Sequence, residues 1–163
     1  MAINRLSTAG LTLSWASEST AGTRPTTGYT KVPEIKDTPS FNPEPNWIDV
    51  TPLSEIESLQ YIPGLKDFGG GFTFTANMNP TLLTAWNTTL MTAYETAKAS
   101  GKAVWFCVSH PDLTGDSDAV YWPGIPVKCS FNESSVNAAL ETSLFVGQAG
   151  PTEHGAPPTF VSA

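Results

Sequence analysis

The side chains that could do chemistry in this chain are few and scattered. There are two histidines, His110 and His154, and two cysteines, Cys107 and Cys129. A general base needs a nucleophile or second acid beside it. His110 closes an apolar run just before Pro111, and His154 lies in a Pro-rich C-terminal stretch, so both read as structural or exposed imidazoles. The cysteines stand far apart, with no CxxC spacing and no histidine at metal-ligand distance, which excludes a zinc site. They read as small buried hydrophobes, with a bridge between neighbouring strands as the alternative. Asp112-Leu113-Thr114-Gly115-Asp116-Ser117-Asp118 is spaced like the start of a calcium loop but lacks the closing bidentate Glu. Gly69-Gly70-Gly71 precedes a strand and no Lys-Ser/Thr follows, so it is no phosphate-binding loop. Asn87-Thr88-Thr89 and Asn132-Glu133-Ser134 match the glycosylation pattern at chance level. No catalytic, cofactor or metal constellation assembles, and the chain reads as something other than an enzyme.

Five tryptophans remain: Trp15, Trp47, Trp86, Trp105 and Trp122. Trp15 and Trp86 share the spacing of core positions. Trp47, Trp105 and Trp122 are free to form a sugar-binding face or to anchor protein contacts. Composition narrows the choice further. The chain has 163 residues, a formal charge of −7 and only 14% charged residues, its polarity coming from 21 Thr and 15 Ser. Beyond residue 36 the only bases are Lys66, Lys98, Lys102 and Lys128, too few to neutralise a phosphate backbone. No window is long and apolar enough for a membrane span, and the first residues lack the apolar core of a secretory signal. Six acids against one base follow residue 102, which predicts an acidic face.

The elements follow from periodicity. Residues 10–16 alternate, with Leu11, Leu13 and Trp15 on one side, and predict a half-buried strand. Residues 71–76 and 102–109 alternate likewise. Pro123-Gly124 reads as a turn between a strand ending at Trp122 and another over residues 127–131. In residues 135–146 Ala138-Ala139-Leu140-Glu141 has helical propensity, but the shared parity of Val136, Ala138, Leu140, Leu144 and Val146 favours a further strand. Only residues 80–100 change period. Asn79 can cap the helix and Pro80 fits its first turn. Leu82, Leu83, Trp86, Leu90, Ala93, Tyr94 and Ala97 recur at three- and four-residue spacing, and Gly101 closes it. The class is β-dominated α+β, with a main domain over residues 1–150 and a C-terminal arm over 151–163.

One stretch does not fit a compact domain. Residues 33–68 carry Pro33, Pro39, Pro43, Pro45, Pro52 and Pro63, which block interior sheet pairing. Yet Trp47, Ile48, Leu53, Ile56, Leu59, Tyr61, Ile62 and Leu65 make it too apolar for a solvated loop. An exposed apolar excursion of that length marks an interface, here read as contact with another subunit.

Three motifs carry a resemblance. They are Met1-Ala2-Ile3-Asn4-Arg5-Leu6-Ser7-Thr8-Ala9-Gly10, Thr20-Ala21-Gly22-Thr23-Arg24-Pro25 and Tyr61-Ile62-Pro63-Gly64-Leu65-Lys66-Asp67. Together with the helix ending Ala93-Tyr94-Glu95-Thr96-Ala97-Lys98-Ala99-Ser100-Gly101, they are similar to the major tail tube proteins of long-tailed, non-contractile bacteriophages. The resemblance covers about residues 1–110. It implies a β-sandwich or barrel-like fold flanked by a helix, with an extended loop and terminal arms. It also implies homo-hexameric rings stacked into a hollow tail tube that conducts the genome. The eight apolar residues of the excursion would be inter-ring contacts. The expected partners are a tape-measure protein in the lumen, a tail terminator and a distal tail or baseplate protein. DNA would pass through without specific binding, and no membrane would be involved. The location would be the virion tail, assembled in the bacterial host cytoplasm. A carbohydrate-binding or host-attachment β-sandwich is the alternative.

Overall fold

In a computed structural model, residues 5–67, 70–133 and 135–161 are described. Met1, Ala2, Ile3 and Asn4 of the first motif, Phe68 at the end of the excursion, Gly69 of the triple glycine, Ser134 of the second sequon, and Ser162 and Ala163 lie outside them. The chain folds as a curled, nine-stranded, half-barrel sheet with one helical segment and a separate two-stranded hairpin. The sheet holds β1 (Thr12–Ser17), β2 (Thr27–Lys31), β3 (Ile35–Asp37), β6 (Gly71–Asn77), β7 (Val104–Ser109), β8 (Ala119–Pro126), β9 (Glu141–Gln148), β10 (Glu153–Gly155) and β11 (Thr159–Phe160). Its order is β11-β2-β1-β7-β8-β9-β6-β3, and β10 also pairs with β8. The hairpin is β4 (Pro45–Asp49) and β5 (Tyr61–Lys66).

The concave face holds the larger core. Leu13 and Trp15 of β1, Phe72 and Phe74 of β6, Val104 and Phe106 of β7, and Leu144 and Val146 of β9 all point into it. The helical segment closes this face with Leu82, Trp86 and Leu90, each fully buried. It begins as α1 (Pro80–Leu83), with the Asn79 side chain accepting from the Leu82 N–H at 2.9 Å. It widens to a π-helix over Thr84–Leu90 and ends as α2 (Met91–Ala99). Leu82, Trp86 and Leu90 recur every four residues, a spacing that drifts around an α-helix; the wider i→i+5 turn keeps them facing the sheet. At the C-terminus the Gly101 N–H bonds to the Lys98 carbonyl and the Lys102 N–H to the Ala97 carbonyl. This is a Schellman cap, with Gly101 at φ +69°.

β1 and β7 are buried on both faces rather than one. The reason is the C-terminal segment. Expected to stand off as an arm, residues 151–161 instead lie back over the convex face, where β10 extends β8 and β11 runs parallel to β2. Beneath them is a second core of Ala16, Tyr29, Trp105, Cys107, Ala119 and Tyr121. Arg24 bridges to Glu153 at 3.0 Å and lies over the Tyr121 ring, whose hydroxyl donates to the Ala156 carbonyl. Lys31 sits over the Phe160 ring.

Two strand boundaries differ from the sequence reading. Pro123-Gly124 is no turn, and β8 runs straight through it. The Pro123 carbonyl accepts from the Ala149 N–H at 2.9 Å, so its nitrogen faces the same outer side. There the partner of β8 changes from β10 to β9, and a missing donor interrupts no continuous ladder. Gly124 is required, because a Cβ would lie 2.5 Å from Val146 and 2.6 Å from Phe106. Residues 127–133 and 135–140 are irregular, and β9 starts only at Glu141. The parity of residues 135–146 holds for Leu144 and Val146, whereas Val136, Ala138 and Leu140 are exposed.

Candidate assembly surface

The excursion opens with β3, which pairs with β6 at the sheet edge, and the part beyond Phe41 resolves into β4, β5 and the loop between them. Trp47 faces Pro63, Ile48 faces Ile62 and Asp49 faces Tyr61. Gly64 lets the strands close, since a Cβ there would sit 2.7 Å from the Asn46 carbonyl oxygen. The tip is ordered by its own polar groups. Val50 N–H bonds to the Gln60 carbonyl, Gln60 N–H to the Thr51 hydroxyl at 2.7 Å, and Thr51 N–H to the Asp49 carboxylate. Glu55 accepts from the Glu57 and Ile56 N–H groups, which hold its carboxyl below the usual range; Thr51 does the same for Asp49.

β4 and β5 pair only with each other, as a two-stranded sheet apart from the main one. The root of the excursion is Phe41. Its ring packs 4.7 Å from Phe72 and 5.3 Å from Trp122, joining an aromatic cluster that includes Phe74 and Phe106. Beyond that anchor all eight apolar residues singled out from the sequence are exposed: Trp47, Ile48, Leu53, Ile56, Leu59, Tyr61, Ile62 and Leu65. Ile56 is 92% exposed and Leu65 87%, the state of side chains in an extended peptide. Because alternate strand residues point to opposite sides, the Trp47–Tyr61 side and the Ile48–Ile62 side are both apolar. Trp47 and Tyr61 line an open hollow of about 370 Å³. A two-stranded ribbon is marginal alone in water, and one apolar on both faces gains most by being covered.

The other candidates are placed as follows. His110 is buried; its Nδ1 accepts from the Asp112 N–H, so Nε2–H donates to the Ser7 carbonyl at 2.8 Å. That geometry ties the N-terminal segment to the β7–β8 loop. Asp118 accepts from Gly115 N–H to shape the same loop, and among the described residues no group of three His, Cys, Asp or Glu side chains is placed to hold a metal. Cys107 and Cys129 are both free and buried, and burial pushes the Cys107 thiol up to about 12. The Asn87 amide is occupied in a two-way bond with the Cys129 backbone. Trp105 and Trp122, open as surface anchors in the sequence reading, are buried, which leaves Trp47 as the exposed tryptophan. Of the six late acids, Glu141 is paired with Lys36 and Glu153 with Arg24. No helix among the described residues is long and apolar enough to cross a membrane.

No protein-family model matches the chain, and no curated protein matches it in sequence. Its fold is shared with chains of solved assemblies. A chain of the anti-feeding prophage (AFP) baseplate, determined by cryo-EM with 6-fold symmetrisation, superposes with a TM-score of 0.57 at 10% identity, over 94% of this chain and 98% of that one. A chain of the virion of a native gene transfer agent (GTA) particle superposes at 0.52 with 16% identity, over 93% of this chain and 100% of that one. A chain from the tail of an empty GTA particle, refined helically with C6 symmetry, does so at 0.52 with 17% identity over the same shares. At these identities the likeness is one of fold.

Proposed function

We propose that this chain is a structural virion protein that forms homo-hexameric rings stacked into a hollow phage-type tail tube, the conduit for genome ejection. The observation that carries the reading is the hairpin: eight large apolar side chains stand in water on a ribbon detached from the sheet. Its support is a fold that recurs in baseplate and tail assemblies of six-fold symmetry. In this reading the hairpin bridges successive rings, a tape-measure protein fills the lumen during assembly, and a tail terminator and distal tail protein bound the tube. A net charge of −7 lets DNA slide past without adhering. Assembly takes place in the host cytoplasm and the product resides in the virion tail.

Negative-stain microscopy of the concentrated chain tests this. Filaments with a stain-filled central channel are expected; a species that stays monomeric at every concentration, with or without tail-tip proteins, overturns it. A second reading has one observation behind it. The Trp47–Tyr61 hollow could stack on a sugar ring, as in a carbohydrate-binding or host-attachment module. Saturable quenching of Trp47 fluorescence by oligosaccharides, lost in Trp47→Ala, would favour that module.

A further inference from the structure

We propose that the hairpin docks on a second copy of this chain, against the outward face of β8 and β9 and the adjoining loop residues Val127, Phe131, Val136 and Leu140, so that the contact runs head to tail. This rests on the assembly reading above. Among the described residues, most of the large exposed hydrophobic side chains fall in two stretches, with Leu6, Leu113 and Val161 apart from both. One is the hairpin. At the other, Ile125 of β8 and Phe145 of β9 stand exposed on the outward face, and Val127, Phe131, Val136 and Leu140 of the following loop are exposed too.

The loop is held against the strands. Val127 N–H bonds to the Phe145 carbonyl, Asn132 N–H to the Glu141 carbonyl, and the Thr142 hydroxyl to the Ser130 carbonyl at 2.6 Å. Gly71 and Gly147 keep the face open beside Phe145, whose ring edge would lie 3.0 Å from a Cβ at Gly71. Elsewhere on this side the second core is packed by Phe160 and tied to the C-terminal segment by the Tyr121–Ala156 bond. At β9 and the loop this side is bare.

Charge decides which surface receives the hairpin. Residues 44–67 carry Glu44, Asp49, Glu55, Glu57 and Asp67 against Lys66 alone. Hairpin against hairpin would press two acidic ribbons together, and like charges in register are costly. The second patch has no net charge to repel it: Lys128 offsets Glu133, and Glu141 is neutralised by Lys36. A contact between two different patches of one chain is heterologous, so each added copy presents a fresh patch and growth continues.

The test uses the full chain and the variants Ile56→Asp and Phe145→Asp, with Val136→Asp as a second patch variant at a position 89% exposed. Circular dichroism and melting temperature establish that each is folded. Each variant alone is expected to associate roughly tenfold or more weakly than the parent chain. An equimolar mixture of Ile56→Asp with either patch variant should regain one contact, giving a complex of twice the mass by sedimentation that does not grow further. Patch variants that assemble like the parent chain overturn the docking site while leaving the assembly reading standing. Patch variants that assemble alone while Ile56→Asp does not show hairpin-to-hairpin pairing, which also overturns it. A parent chain that never self-associates overturns both.

Discussion

Glu18 is buried where β1 ends, and its two carboxylate oxygens serve three donors. They accept from the Trp105 indole at 2.7 Å, the Gly22 N–H at 2.9 Å and the Ala103 N–H at 3.1 Å. Burial by itself raises the carboxyl's pKa; these hydrogen bonds, with the Lys102 charge, outweigh it and hold the group below the ordinary range. A carboxylate lowered in this way stabilises the fold above its unfolded value of about 4.3 and loses that contribution as pH falls through the folded value. Glu18→Gln turns an NH₂ toward donors and should cost about 1–3 kcal/mol at pH 7. Melting curves of both proteins from pH 7 down to pH ~3 check this: the gap should narrow below pH ~4.3, and a constant gap would mean that the charge contributes nothing.

Within the helical segment, local chemistry and tertiary packing agree. Asn79, Pro80 and the Gly101 Schellman cap set its ends, and the four-residue recurrence of Leu82, Trp86 and Leu90 sets its buried face. The π-helical middle also presents Trp86 and Asn87 to the strand-loop connection, where they bond to Val127 and to Cys129. Gly101→Ala isolates the cap, because nothing lies within 4 Å of the added Cβ and the only penalty is the left-handed backbone. The expected cost is about 1–2 kcal/mol, a fall of roughly 2–8 °C in melting temperature. An unchanged melting temperature would show that the last turn frays without cost to the fold.

For the molecule as a whole, like charge opposes the apolar surface. Every copy carries −7, so bringing copies together works against their mutual repulsion, which salt screens over about 8–10 Å at physiological ionic strength. Assembly driven by the apolar hairpin should therefore strengthen with salt. Between about 50 and 500 mM NaCl, light scattering should show the onset of association moving to lower protein concentration. The opposite trend would mean that ion pairs hold the copies together.

Much of this was legible along the chain. Alternation marks the inner faces of β1, β6 and β7, the cap residues mark both ends of the helical segment, and the proline-rich excursion stands out as apolar surface that the fold leaves exposed. These features depend on near neighbours in sequence, whose spacing is set by strand and helix geometry. What near neighbours cannot reveal is which surface a distant segment covers. The folding of residues 151–161 over the second core, the burial of Trp105 and Trp122, the pairing of late acids with Lys36 and Arg24, and the bare face at Ile125 and Phe145 all arise from contacts between residues far apart in the chain. Side-chain period says that a face is apolar; only the closed sheet shows whether the chain itself has already covered it.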